Sequence, residues 1–194
     1  MLRELIDAFE ELKNYVFIIN RGDKKAIIIK FNNDNFYHLV GLHKTNIDLY
    51  FPKEIKSKNK KYKYIKSHIE KFNNVLENEV KEKDVIKYRV ETFSKILNLL
   101  TENNNTILYS LKEAIPDSLY KGDFGLFKIY EQIFCLLGLK INIESEKAII
   151  CAPQSWMASK RPNRLVENKR PIYMEKIVAI SCDLYDETTY TICV

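Results

Sequence analysis

Histidine and glycine are scarce in this chain, three and five among 194 residues, and that shortage narrows the chemistry open to it. Gly122 and Gly125 in KGDFGLF are too few and too poorly placed to build a glycine-rich phosphate loop. The four cysteines, Cys135, Cys151, Cys182 and Cys193, form no CxxC pair, and no two stand at zinc-ligand spacing. Each lies in an apolar, strand-like context, so reduced core cysteines in a cytoplasmic compartment are expected. No Asp/Glu/His grouping has the spacing of a two-metal nuclease, and neither metal nor cofactor is expected. No apolar run approaches the ~18–20 residues a membrane span needs, and IFCLLGLKINI is among the longest. Acidic residues interrupt MLRELIDAFEELKNY, so it does not read as a signal peptide. A soluble protein with no membrane partner is expected.

What is abundant is lysine. The formal charge is +5, and its distribution says more than its size. Residues 53–66, KEIKSKNKKYKYIK, hold seven lysines against one glutamate, with Tyr62 and Tyr64 interleaved. A second cluster over residues 160–171, KRPNRLVENKRP, adds three arginines and two lysines. Basic clusters suit a polyanion, because each neutralised phosphate releases condensed counterions. A solvated lysine-rich loop is the other reading of the first cluster.

A chain of this length buries roughly 70% of its unfolded surface, so one domain over 1–194 is expected. It divides into a helix and hairpin (1–31), a helical segment (34–101) and a β-rich half (105–194). Leu2, Leu5, Ile6, Phe9 and Leu12 predict an amphipathic helix. YVFIIN and KAIIIKF around Arg21-Gly22-Asp23 predict a β-hairpin. Asn33 or Asp34 is expected to cap a short helix carrying Phe36, Leu39 and Val40. Gly41 stands too early for a clean helix stop, which suggests close packing or a ligand's approach. Two longer helices follow, one on Ile65, Ile69, Phe72 and Leu76, the other on Ile86, Val90, Phe93, Leu97 and Leu100. Beyond ENNNT the chain reads mostly as strand: 124–143, KAIICA, RPIYMEKIVAISC and TTYTICV. FGLFKIYEQIFCLLGL fits strand or helix equally. The fold class is α+β, a mainly antiparallel sheet with helices on one side or end.

The residues NFYHLVGLHK, preceded by the lysine-bearing strand IIIKF, resemble the fourth phage-type class of barnase–EndoU–colicin–RelE-like nucleases, the BECR fold. The family's His-Leu-x-Gly-Leu core is His38-Leu39-Val40-Gly41-Leu42, and the order of elements agrees across about residues 1–100. In the second half, Lys128 in FKIYEQIF and Ser155-Trp156 in APQSWM are the nearest counterparts of a strand lysine and a serine–aromatic pair. Ile129 and Tyr130 stand where an acidic residue often follows the lysine.

The resemblance implies a metal-independent endoribonuclease that attacks through the RNA's own 2′-hydroxyl. Such a reaction needs a base, an acid and positive charge on the non-bridging oxygens. Histidine suits the first two roles, with an unperturbed pKa near neutrality. His38, His43, Lys44, Lys128 and Ser155 are the candidate catalytic residues. Lys30, Lys58, Lys60, Lys61, Arg161 and Arg164 are the candidate RNA contacts. On a regular helix His38 and His43 would diverge by about 140°, so both face one pocket only if the helix ends near Gly41. His68 beside Ile65 and Ile69 reads as structural, and Trp156 as core. The biology implied is a toxin-like or phage-conflict effector acting on RNA, tRNA or mRNA being candidates, with an antitoxin or immunity protein as partner. The alternatives are a catalytically inactive module that binds nucleic acid or protein on the same fold, and an inhibitor or assembly protein.

Overall fold

In the computed structural model the described residues are 1–22, 24–102, 104–111, 122–161 and 170–186. Helix α1 (Leu2–Lys13) turns Leu2, Leu5, Ile6, Phe9 and Leu12 inward, the stripe its spacing predicts. Strands β1 (Tyr15–Arg21) and β2 (Lys24–Lys30) form the expected antiparallel hairpin. Phe17, Ile19, Ile27 and Ile29 face the main core, while Val16, Ile18, Ala26 and Ile28 form a smaller cluster on the other face.

Helix α2 (Asn33–Leu39) is capped by Asn32, one residue before the first expected cap position. The Asn32 side chain accepts from Asp34 N–H at 3.0 Å, and the Asn35 side chain accepts from Asn32 N–H at 2.7 Å. From Lys58 onward the lysine-rich stretch is helix rather than loop. Ser57 accepts from Lys60 N–H at 3.3 Å and caps helix α3 (Lys58–Ser67), which buries Tyr62 and Ile65.

The two long helices are in fact four. Helix α4 (Ile69–Glu82) separates from α3 at His68, whose imidazole engages the Tyr64 carbonyl at 3.0 Å, leaving the His68 N–H to bond Ile65. Helices α5 (Asp84–Glu91) and α6 (Lys95–Thr101) part at Thr92, whose hydroxyl bonds the Tyr88 carbonyl at 2.7 Å. That hydroxyl also accepts from the Trp156 indole at 3.0 Å, so the break is tied to the core.

Strands β3 (Ile107–Ser110), β4 (Phe124–Tyr130), β5 (Ile133–Glu144), β6 (Ala148–Ser159), β7 (Arg170–Ile172) and β8 (Lys176–Ser181) complete the sheet. FGLFKIYEQIFCLLGL is a hairpin, turning on Glu131 and Gln132 at φ +46° and +67°. RPIYMEKIVAISC is two strands at opposite edges, in the order β7-β3-β4-β5-β6-β2-β1-β8. Among the described residues only the β2–β6 pair is parallel. The sheet curls: the Arg21 guanidinium of β1 lies 5.8 Å from the Phe124 ring of β4, and α6 packs against both β4 and β8. The helices fill one side of it, giving the α+β layout expected. Cys135 and Cys151 are buried, but Cys182, past the end of β8, is exposed rather than core. TTYTICV, Arg164 and Cys193 lie outside the described residues.

Candidate active site

The site is assembled where α2 ends. Asn35 is 93% buried, and its amide donates to the Pro153 carbonyl at 2.8 Å, pinning α2 to the bulge in β6. Phe36 packs on Tyr62 and Phe9, with ring centroids 4.9 and 5.1 Å away. These anchors fix the orientation of His38, half a turn further on.

After Leu39 the helix stops. Val40 still has helical angles, but Gly41 takes φ +86°, the left-handed conformation that glycine adopts without strain. It is thus a helix stop after all. The chain then tightens into a 3-10 turn over Leu42–Lys44. This reversal brings His43 back beside His38, with ring centroids 4.6 Å apart. The divergence expected of a regular helix is cancelled by one residue.

The turn is held from several sides. The Thr45 hydroxyl bonds the Leu42 carbonyl at 2.7 Å. Glu79 accepts from Asn46 N–H at 3.0 Å, while Lys83 donates to the Lys44 carbonyl at 3.3 Å and pairs with Glu79 at 2.6 Å. Further along, Tyr37 donates to Asp48, whose carboxylate also takes the Lys61 ammonium at 2.6 Å. Burial and that carboxylate push the Tyr37 hydroxyl's pKa up.

Beneath the turn lies Arg89 of α5, only 3% exposed. Its Nη1 reaches toward the His38 carbonyl at 3.5 Å, a weak bond, and its Nε is buried with no hydrogen-bond partner. Among the described residues it makes no ion pair, and burial lowers its pKa to about 10. The side chain lies so close to Gly41 that a Cβ there would meet its Cδ and Nη1 at 3.1 Å.

The electrostatics follow from this crowding of cations. Desolvation lowers the pKa of His38, and the charges of Lys58 and Arg89 add to it. His43 falls to about 4, through desolvation first and then His38, Arg89 and Lys44, although a hydrogen bond to the Tyr37 backbone resists. Lys44 is lowered by desolvation and Arg89. Both imidazoles are therefore neutral at pH 7, in a setting that favours an incoming negative charge.

The structure thus brings together His38, His43 and Lys44, with Lys58 acting on His38. It does not bring Lys128 and Ser155 together. Lys128 pairs with Cys135 across the hairpin and points to the helix side, where its ammonium bonds the Glu102 carbonyl at 3.2 Å and carboxylate at 3.4 Å. Ser155 stands opposite Gly138, on the other face from Trp156, and its hydroxyl is buried without a partner. The β6 bulge at Gln154 decides which face each residue takes. Trp156 is fully buried, the core role its sequence suggests.

Of the basic residues, Lys58 and Lys60 are exposed on α3. Lys61 is mostly buried, lying 4.9 and 5.3 Å from the Tyr37 and Phe51 rings while it pairs with Asp48. Lys30 lies on the helix-free face, 4.6 Å from the Tyr185 ring, and Arg161 is exposed just past β6. Arg89 escapes sequence reasoning. A signal exists: it stands three residues after Ile86 and four before Phe93, on an apolar stripe that holds it and Ile96 deeper than Val90 and Leu97.

A curled, mainly antiparallel sheet with helices on one side, carrying a histidine pair among cations, defines an α+β protein. The chain belongs to the family described as phage-Barnase-EndoU-ColicinE5/D-RelE like nuclease4, whose model matches residues 1–194. No curated protein and no solved structure matches it. A nuclease family points to nucleic-acid substrates. Among the described residues, no three His, Cys, Asp or Glu side chains gather as a metal site would need, and no helix is long and apolar enough to cross a membrane.

Proposed function

We propose that this nuclease is an endoribonuclease that cleaves RNA without metal, using His38 and His43 as its proton-transfer pair. The observation that carries the reading is the 4.6 Å approach of the two imidazoles across the Gly41 turn. One neutral imidazole takes the proton of the RNA 2′-hydroxyl, and that oxygen attacks the adjacent phosphorus. The bond from phosphorus to the 5′-oxygen breaks, and the other imidazole, in its protonated form, delivers a proton to the leaving oxygen. Lys44 and Lys58 supply positive charge as the non-bridging oxygens become more negative. Lys60 and Arg161 extend the basic surface that would hold the backbone on either side. A toxin-like or phage-conflict role fits such an activity, and it calls for an antitoxin or immunity protein in the producing cell.

The discriminating test is incubation of purified protein with RNA in excess EDTA, followed by analysis of the product ends. Fragments ending in 2′,3′-cyclic phosphate with free 5′-hydroxyls are expected. Cleavage that EDTA abolishes and magnesium restores, or fragments with 5′-phosphates, would remove this mechanism. RNA binding with steep salt dependence and no cleavage would support the inactive-module reading instead.

A further inference from the structure

A buried cation with no counter-charge is costly, and among the described residues Arg89, at the centre of the site, has none. The elements around the Gly41 turn carry other ionisable groups. From α2 Arg89 faces His38, and from the 3-10 turn His43 and Lys44. On α3, Lys58 acts on the same imidazole, His38. On α4, Glu79 and Lys83 are paired with each other at 2.6 Å and occupied by the Asn46 and Lys44 backbone. On α5 itself, Lys87 and Glu91 sit near each other at 4.0 Å, both about half exposed. Lys160 lies 5.5 Å from the neighbouring Tyr88 ring. Among the described residues, every side chain that perturbs the pair is a cation or the other imidazole.

We infer that Arg89 is the positioning residue of the histidine pair: lodged under the Gly41 turn against the His38 carbonyl, it holds a positive charge that a bound phosphate oxyanion neutralises. At 3% exposure it does not touch substrate. It acts through the turn and through its field. In the empty site that field disfavours a proton on either imidazole. An arriving phosphate cancels it, and one imidazole then takes up the proton that it later gives to the leaving oxygen. Binding and acid formation become one event, and an empty site holds no competent acid. This rests on the proposed histidine chemistry, but its test does not need RNA cleavage.

The experiment is an NMR titration of the His38 and His43 ring protons in RNA-free protein, for wild type, Arg89→Lys and Arg89→Met. Arg89→Met should raise both histidine pKa values by about one unit, while Arg89→Lys, which keeps the charge, should leave them within a few tenths. Inorganic phosphate should raise them in the wild type and have less effect in Arg89→Met. Thermal unfolding separates this role from a merely structural one. Removing an unpartnered buried charge while keeping an apolar stem should leave the Tm unchanged or higher. Histidine pKa values unmoved in Arg89→Met, or unmoved by phosphate in the wild type, would overturn the assignment. Should Arg89→Met not fold, the lysine variant and the wild-type phosphate titration decide the matter. If RNA cleavage later proves absent while these shifts appear, the electrostatic coupling stands and the catalytic reading alone falls.

Discussion

Replacing Gly41 by alanine should damage the site through two separable effects. At φ +86° an alanine backbone costs about 1–2 kcal/mol relative to glycine. The new Cβ would also stand 3.1 Å from Arg89 Cδ and Nη1 and 3.2 Å from Ile86 Cδ1. Arg89 and Ile86 are both buried, so relief requires moving packed side chains, and overpacking of that kind costs about 1–3 kcal/mol. The sum, roughly 2–5 kcal/mol, should appear in urea unfolding as a lower midpoint with an unchanged slope. Because the same turn sets the His38–His43 spacing, cleavage should fall at least tenfold under denaturant-free conditions where the variant is still folded. Gly41→Asn separates the two effects. Asparagine tolerates the left-handed region but keeps the Cβ, so it should recover much of the backbone cost and none of the crowding. Adding Arg89→Met, which alone should not lower the Tm, to Gly41→Ala removes the guanidinium end and should leave a smaller stability loss than Gly41→Ala alone. A Gly41→Ala protein with wild-type stability and cleavage would refute this account of the turn.

Other consequences concern charge. Lys60→Ala and Lys58→Ala should each flatten the salt dependence of RNA binding, by about one unit of slope for every phosphate no longer neutralised, without lowering the Tm; an unchanged slope would make α3 a solvated surface only. Lys61→Ala should instead lower stability by about 1–2 kcal/mol in urea unfolding, because its side chain, 16% exposed, pairs with Asp48 and lies over two rings. The pH dependence of stability has a definite sign. His38 and His43 have folded pKa values below the unfolded value, so the unfolded chain binds more protons as acid is added. Their contribution is full above about pH 6.5 and is lost as pH falls toward His43's value of about 4. Urea midpoints of the His38→Gln/His43→Gln protein should be flatter across that window. Glu10, held at about 2 by Tyr62, Lys13 and Lys66 despite burial, should weaken the fold only below its unfolded value of 4.5, so the two windows are distinguishable.

Much of this molecule is legible in its sequence, and the illegible parts share a cause. Elements with a clean period, such as α1 and the β1–β2 hairpin, stand where their apolar residues put them. The helix breaks at His68 and Thr92 do not show in a period, because a side chain there takes a backbone carbonyl and the stripe simply resumes. Lysine-rich 58–67 reads as loop by composition, yet Tyr62 and Ile65 are enough to bury one face and make it helix. The His38–His43 pair is visible as two residues but not as a pair, since their meeting depends on the φ of Gly41. Arg89 is hidden by the convention that apolar stripes are read from apolar residues. Lys128 and Ser155 read as convergent only while the β6 bulge and the curl, which set strand sidedness, are left out. Each miss is a tertiary effect on a locally reasonable reading.

The central claim is that two imidazoles joined by one glycine turn carry metal-independent RNA cleavage. The most direct test is single-turnover cleavage of a short RNA in EDTA by wild type, His38→Gln and His43→Gln, each confirmed folded by its thermal transition. A positioned acid or base contributes about 10²–10⁴ in rate, so each glutamine variant should lose that much, and the double variant little more than the worse single. A well-folded His38→Gln or His43→Gln protein that cleaves at the wild-type rate would contradict the claim.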